Sequence, residues 1–556
     1  LSFVSASDNG FLTLHNAIAE TIRESLDDER RLGSIDSLFG HFEARAELAS
    51  TGPVTEENVV ALLEAAFLRR SQGLAGYAEW LKLASERFAR AGRVAQLLPL
   101  WQEAAAGVES EFGAESLDLA ICLRQLGNLQ QGRIDFDDIR ALYERALPAH
   151  EKVLGEQHDD TIELLGDLAS AIHDQSDLDA ARTLYEKVLS IRERRDGPDH
   201  PGNVTTLNNL ALVIKHQGDF AAALPLYERA LAIWEKAFGP DYGDLAGILV
   251  NIGYLLMDQG KYAEARPSLD RALAVSETAH GPEHPITAVA LNTLGLLLRY
   301  QGDYAASEPF FLRALAIREK VLGPEHIETT TAYNNLAQLY QNQGRYAEAR
   351  PLFEKTLAVR EKTFGADSYA TSISVHNLAC LLHDMGELAA AKTLLERAIS
   401  MREGMFDPDD MDIAPSLGRL GLVLLDLGEP AVARPHLERT LAIASARLGA
   451  EHPSTASSMG NLAACLTVLG ETGEARELLD RAIAVSDKAV GEDHPTSQRL
   501  RCHQGRLLLA TGRNAEARTI AARAVSLLTE KSGASHVWTL DAAKLLAEVE
   551  AAPANG

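Results

Sequence analysis

The residues of this chain best suited to chemistry are its cysteines and histidines. Cys380 and His383 stand three apart on one predicted helix, close enough to meet as a thiol nucleophile and its base would. No pattern supplies an orienting acid or an oxyanion hole, so a cysteine-dependent enzyme is kept only as an alternative. His158, His200, His284, His326, His452, His494 and His536 recur in one column. A metal site needs ligands that converge, whereas these lie about one repeat or more apart with no carboxylate or thiolate fixed beside them, so their expected role is in turns and caps. Cys122, Cys380, Cys465 and Cys502 are far apart, with no C-x-x-C pair, and read as reduced thiols of a cytoplasmic protein. H-E-x-x-H, G-x-S-x-G and G-x-x-x-x-G-K-[ST] are all absent. The expectation is a non-enzymatic chain with no catalytic residue, no metal and no cofactor.

The elements behind these columns are set by a repeat. A glycine recurs in steps of 42 at Gly218, Gly260, Gly302, Gly344, Gly386, Gly428, Gly470 and Gly512. A second column in phase holds Gly113, Gly155, Gly197, Gly239, Gly281, Gly323, Gly365, Gly449, Gly491 and Gly533, with Asp407 in its place once. Running the first column backwards through Gly92, Ile134 and Ser176 gives eleven units between about Tyr77 and Gly533. A lone helix from His536 to Glu550 then closes the array.

Within one unit, Leu207, Leu210, Ala211 and Ile214 share one helical face, and Ala223, Tyr227, Ala230, Leu231 and Trp234 share a face of the helix that follows. Each unit is therefore predicted to be an αα-hairpin. Pro225, Pro267, Pro309, Pro351 and Pro435 are placed at the entrance of the second helix, where backbone N–H groups lack an acceptor, and Pro201, Pro285, Pro453 and Pro495 in the loop before the first. Two columns stay small. They are Ala211, Gly253, Gly295, Ala337, Ala379, Gly421, Ala463 and Gly505 on the first helix, and Ala223, Ala265, Ser307, Ala349, Ala391, Ala433, Ala475 and Ala517 on the second. One hairpin buries too little to offset the entropy of ordering its backbone, about 1–2 kcal/mol per residue. Stability must come from neighbours.

Composition excludes several classes. Hydrophobic residues at 46% and aromatics at only 6% favour Ala/Leu-rich helices over sheets. The net charge is -26 with no Lys/Arg-rich run, which argues against nucleic acid and against an anionic membrane. No apolar stretch is long enough to span a bilayer, and Leu1 in place of Met leads to the expectation of a fragment of a longer polypeptide.

Leu-Asn-Asn-Leu-Ala at 207–211, Gln-Gly-Asp-Phe at 217–220 and Leu-Tyr-Glu-Arg-Ala-Leu-Ala-Ile at 226–233 resemble tetratricopeptide repeats. The 42-residue length and linkers such as Leu-Gly-Pro-Glu-His at 322–326 resemble the subtype of kinesin light chains. The first two units depart from the pattern, with Leu97 and Ile139 in a column that is small elsewhere. A second resemblance, over Phe11–Leu26, is to the last helix of the winged-helix module in STAND (NB-ARC-type) signalling ATPases. An ordinary amphipathic capping helix is the other reading of that stretch, and any ATPase core would lie before Leu1. The resemblance implies an all-α right-handed solenoid over about 76–534, after an irregular helical segment at 1–75 and before a capping helix and tail at 535–556.

Opposite the core face of the first helix, Thr205, Asn208, Asn209, Leu212 and His216 form a second stripe, which in the resembling family lines the concave surface. Its occupants in successive units are rich in amides: Asn208, Asn209, Asn251, Asn292, Asn334, Asn335, Gln338, Asn342, Asn377 and Asn461. An amide offers both donor and acceptor, so a ladder of them can hold an extended peptide backbone without reading its sequence. The resemblance implies that role for Asn209, Asn251, Asn335, Asn377 and Asn461. The alternative is that they bond to neighbouring first helices and stiffen the stack. His216, Tyr254, Arg299, Tyr300, His376, His383 and Lys215 lie on or beside the stripe and add selectivity. The expected function is recognition of a protein or extended peptide, neutral or mildly acidic, in the sensor arm of a larger regulator with an upstream ATPase domain. A free-standing adaptor scaffold is the alternative.

Overall fold

The computed structural model describes residues 39–46, 54–71, 73–90, 93–130, 136–175, 177–534 and 536–552. The Phe11–Leu26 stretch lies outside them, as do Gly92, Ile134 and Ser176. Among the described residues the regular elements are helices and there is no strand. After Glu56–Ser71, helices alternate as first and second members of eleven pairs, from Tyr77–Arg90 to Asn514–Ser532, and Val537–Ala551 follows. The fold is an α-solenoid of tandem hairpins.

Punctuation by glycine has a direct backbone cause. Gly218, Gly260, Gly302, Gly344, Gly386, Gly428, Gly470 and Gly512 have φ of 71–84°, and the glycines ending the second helices have φ of 84–96°. A Cβ disfavours this region, and only glycine enters it freely. Where Asp407 replaces the glycine, the second helix ends early: Leu388–Glu403 has 16 residues against 19 in Tyr346–Phe364.

The histidine column caps helices. In all seven histidines Nδ1 accepts the backbone N–H two residues on, at 3.1–3.3 Å. Ser368 fills the same column and accepts from the Thr371 N–H instead. Pro285, Pro453 and Pro495 follow their caps as the first helical residue, so they start helices and do not merely precede them. The other proline column also needs correcting. Pro225 is the sixth residue of Phe220–Phe238, beyond the positions whose N–H is free, so it removes one helical bond on an exposed face.

The chain divides into two compact units, residues 1–213 and 214–556. In the first, Leu97 and Ile139 are buried with Trp101 and Tyr143, so the departures from the small column still fill a core. Arg124 links successive first helices, its Nε donating to Asp167 at 2.8 Å and Nη2 to Glu163 at 3.0 Å.

In the second unit the small columns are seams. Ala265, Ser307, Ala349, Ala391, Ala433, Ala475 and Ala517 are fully buried. A Cβ on Gly295 would sit 2.9 Å from the Phe311 ring, one on Gly421 2.6 Å from Leu437, and one on Gly253 inside the Leu269 side chain. Successive first helices pack against one another, as Pro453–Leu469 does on Pro495–Ala510. Successive second helices are joined instead through long side chains such as Arg313 to Glu277 at 2.5 Å and Arg439 to Glu403 at 2.8 Å. The first helices therefore form the inner side of the curve.

That curve closes tightly. Nε2 of His452 lies 2.9 Å from the Asp258 carbonyl, and Nε2 of His494 lies 2.7 Å from that of Tyr300, each pair 194 residues apart. The Val537 N–H likewise donates to the Tyr346 hydroxyl at 2.8 Å, 191 residues earlier. A cavity of about 370 Å³, lined by Gly260, Tyr262, Glu264, Gln301 and Val490 among others, remains beside this seam.

Candidate functional site

The inner face of the second unit is a ladder of polar links from one first helix to the next. Asn335 Nδ2 donates to Asn292 Oδ1 at 2.9 Å, and Asn377 Nδ2 donates to Asn334 Oδ1 at 2.8 Å. Gln341 reaches Asp384 at 2.5 Å, Lys215 reaches Asp258 at 2.7 Å, and His383 Nε2 lies 2.7 Å from Asp426. Every one of these links joins residue i to i+43. Thr293 donates to the Tyr254 hydroxyl at 3.3 Å. Asn292, Asn334 and Asn335 are buried, while Asn251, Tyr254, Gln338, Asn342, His376 and Asn377 are half-buried and His216 is exposed. The Arg299 guanidinium lies 4.9 Å from the Tyr300 ring centroid. In the first unit, Asn208 donates to Asn209 at 3.2 Å, and Asn209 reaches the Tyr185 hydroxyl at 3.5 Å.

The amides thus meet each other. In each pair the donor amide keeps a second N–H and its carbonyl lone pairs, and the acceptor amide keeps a second lone pair, so the inter-helix bonds do not exhaust these groups.

Cys380 has a different partner from the one its spacing suggested. Its Sγ lies 3.4 Å from Nε2 of His376, one turn earlier, and His376 Nδ1 lies 2.9 Å from the Ser416 hydroxyl. His383 is held by Asp426 and by Arg419, whose Nη1 is 3.2 Å from its Nδ1. Burial, helped by Arg402 and Arg419, lowers the His376 pKa to about 3, and burial raises the Cys380 thiol. Both groups are neutral near pH 7, which is opposite to the thiolate–imidazolium pair that nucleophilic attack requires. Among the described residues no group of His, Cys, Asp and Glu is arranged to hold a metal ion. No helix among them is long and apolar enough to cross a membrane.

The geometry adds basic residues that the sequence reading passed over, on either side of Asn461, which it named. Continuing the column of Asn335 and Asn377 by 42 gives Arg419, Asn461 and His503. Arg419 donates to Asp384 at 3.1 Å, and Arg499 Nη2 donates to Asn461 Oδ1 at 3.0 Å. Arg506 pairs with Asp541 of the closing helix. The signal was present as basic residues interrupting an amide column, and a search for amides alone does not see it.

Family models described as tetratricopeptide repeat match residues 133–194, 160–236, 204–249, 244–320, 292–343, 328–404 and 412–488, and a further one matches 498–523. No curated protein matches the chain. Among solved structures, the nearly identical TPR-like repeats of a putative kinesin light chain from Podosopora anserina are 27% identical. That match covers 37% of this chain and 98% of the other at a TM-score of 0.30. BtubC (BKLC) from P. vanneervenii is 19% identical over 42% of this chain and 91% of its own, at 0.33. A Rap protein complexed with competence and sporulation factor is 14% identical over 70% of this chain and all of its own, at 0.40.

Proposed function

The chain belongs to the tetratricopeptide-repeat family, and from that premise we propose that it is a recognition scaffold whose inner face takes a protein segment or extended peptide. The observation that carries this reading is the ladder of first-helix amides, Asn292 to Asn335 and Asn334 to Asn377. It offers donors and acceptors along the inner face, the chemistry that suits the N–H and C=O groups of an extended backbone. Within the second unit His216, Asn251, Tyr254, Arg299, Gln338, Asn342 and His376 extend the same surface, and Asn208 and Asn209 stand on the corresponding helix face of the first unit. We place the array in the ligand-sensing arm of a larger regulator, which a nucleotide-binding motif elsewhere in the full-length polypeptide would support.

The test is a selection on the full chain from a randomised decapeptide library, followed by titration of an enriched peptide. Substituting Asn335→Ala together with Asn377→Ala is expected to weaken binding about tenfold or more, with helical circular dichroism retained. Unchanged affinity in the folded double variant would refute the assignment of these amides.

A further inference from the structure

Three junctions in the second unit set the end of one first helix against the start of another, one superhelical turn later. Where Leu245–Asp258 meets Pro453–Leu469, His452 Nε2 donates to the Asp258 carbonyl at 2.9 Å. Where Pro285–Tyr300 meets Pro495–Ala510, His494 Nε2 donates to the Tyr300 carbonyl at 2.7 Å. The proton sits on Nε2, because Nδ1 of each ring accepts a backbone N–H, from Ser454 and Thr496. At the third junction, beside the end of Ile327–Asn342, the Val537 N–H donates to the Tyr346 hydroxyl at 2.8 Å. A Cβ on Gly302 would lie 2.9 Å from Pro495 and one on Gly260 3.7 Å from Pro453, so the backbone itself touches the next turn.

The bonded groups are those that helices leave over. Asp258 and Tyr300 are the last residues of their helices, whose carbonyls have no intrahelical donor, and Val537 is the first of its own, whose N–H has no intrahelical acceptor. The negative end of one helix dipole faces the positive end of the next, which adds attraction. The seam is nevertheless not a packed core: the crevice of about 370 Å³ lies in it, with residues 260–264 and Gln301 on one turn and Ala489 and Val490 on the other. When the junctions part, water can serve the same helix-end groups, and each hairpin keeps its own core, as Leu269 and Phe311 show by their burial. Joined and parted states therefore both satisfy the backbone, and the seam can open without unfolding a hairpin.

We propose that these junctions are a latch across the gap between successive turns of the second unit, and that its opening admits a segment from the middle of a partner's chain to the inner face from the side. With the latch shut, the inner face is reached along the superhelix axis, which suits a free chain end. With it parted, an internal segment enters without threading. The part played at the groove rests on reading the inner face as a recognition surface. The latch itself does not, and its test uses no ligand.

The full chain is compared by small-angle X-ray scattering with a triple variant carrying His452→Ser, His494→Ser and Tyr346→Phe. Serine keeps the helix cap, as Ser368 does, but is too short to cross the gap, and phenylalanine removes only the hydroxyl. The variant is expected to retain its helical circular dichroism and to show a larger radius of gyration, and Tyr346→Phe alone, the mildest change, to move the same way. A pair of cysteines, Gly260→Cys with Ala489→Cys, reads the seam directly: the two Cβ atoms would stand 3.9 Å apart, within disulfide range, and the native cysteines are buried. Oxidation of this pair is expected to be about tenfold slower or more in the triple variant, the combined effect of three hydrogen bonds that each count little alone. Once formed, the disulfide should return the variant's radius of gyration to that of the parent carrying the same pair, which opening predicts and unfolding does not. Cysteine at Gly260 is strained at φ 73°, so rates are compared only among chains that carry it. Scattering and oxidation rates equal to the parent's, or an expansion that the disulfide does not reverse, overturn the latch and leave the groove reading untouched.

Discussion

At Gly253 the absence of one carbon decides how two helices meet. A Cβ there would occupy the space of the Leu269 side chain, which is fully buried, so a larger residue forces the first and second helices of that hairpin apart. Gly253→Leu is expected to destabilise the second unit by about 1–3 kcal/mol, the usual penalty of overpacking, seen as a lower urea midpoint. A midpoint equal to the parent's would mean that the seam yields without loss. Columns of this kind were legible in the sequence because packing repeats exactly where the chain repeats. Partner choice was not. Cys380 and His383 are correctly spaced for contact, but His376 offers the thiol a ring nitrogen one turn back, and Asp426 on the next first helix claims His383. Spacing along one helix does not reveal what the neighbouring helix contributes.

Helix ends carry the pH dependence. His536 caps Val537–Ala551 through Nδ1, and burial first, with Arg499 and Arg419 opposing Asp384, lowers its pKa from 6.5 to about 4. Its folded pKa lies below the unfolded one, so its contribution is fully present above pH 6.5 and is lost as pH falls towards 4. His376, at about 3, behaves in the same direction over a wider window. Each group is expected to remove up to about 1.4 kcal/mol of stability per pH unit within its window. His536→Ser should keep the cap, as Ser368 does in its own unit, and flatten the stability profile between pH 6.5 and 4. A slope unchanged in that variant would show that the imidazole does not titrate with folding. The capping role was readable from the column itself. The second contact of His452 and His494, with carbonyls 194 residues earlier, was not, because no local pattern encodes how tightly the units wind.

For the molecule as a whole, the repeat announced the fold, since two glycine columns in one phase leave few architectures open. It announced the binding face less well. The amide stripe was found from helical periodicity, but its buried members pair with each other, and the cations that interrupt it emerged only when Arg419, Arg499 and His503 were seen against their neighbours. The central claim is that a partner lies along the first helices. Photo-crosslinking of the full chain by an enriched peptide carrying a benzophenone at each position in turn, with the adducts mapped by mass spectrometry, tests it most directly. Adducts are expected along the first-helix inner stripe, at residues such as Tyr254, Gln338, Asn342 and Asn377. Adducts concentrated on the outer faces of the second helices, at residues such as Glu354 or Glu438, would contradict it.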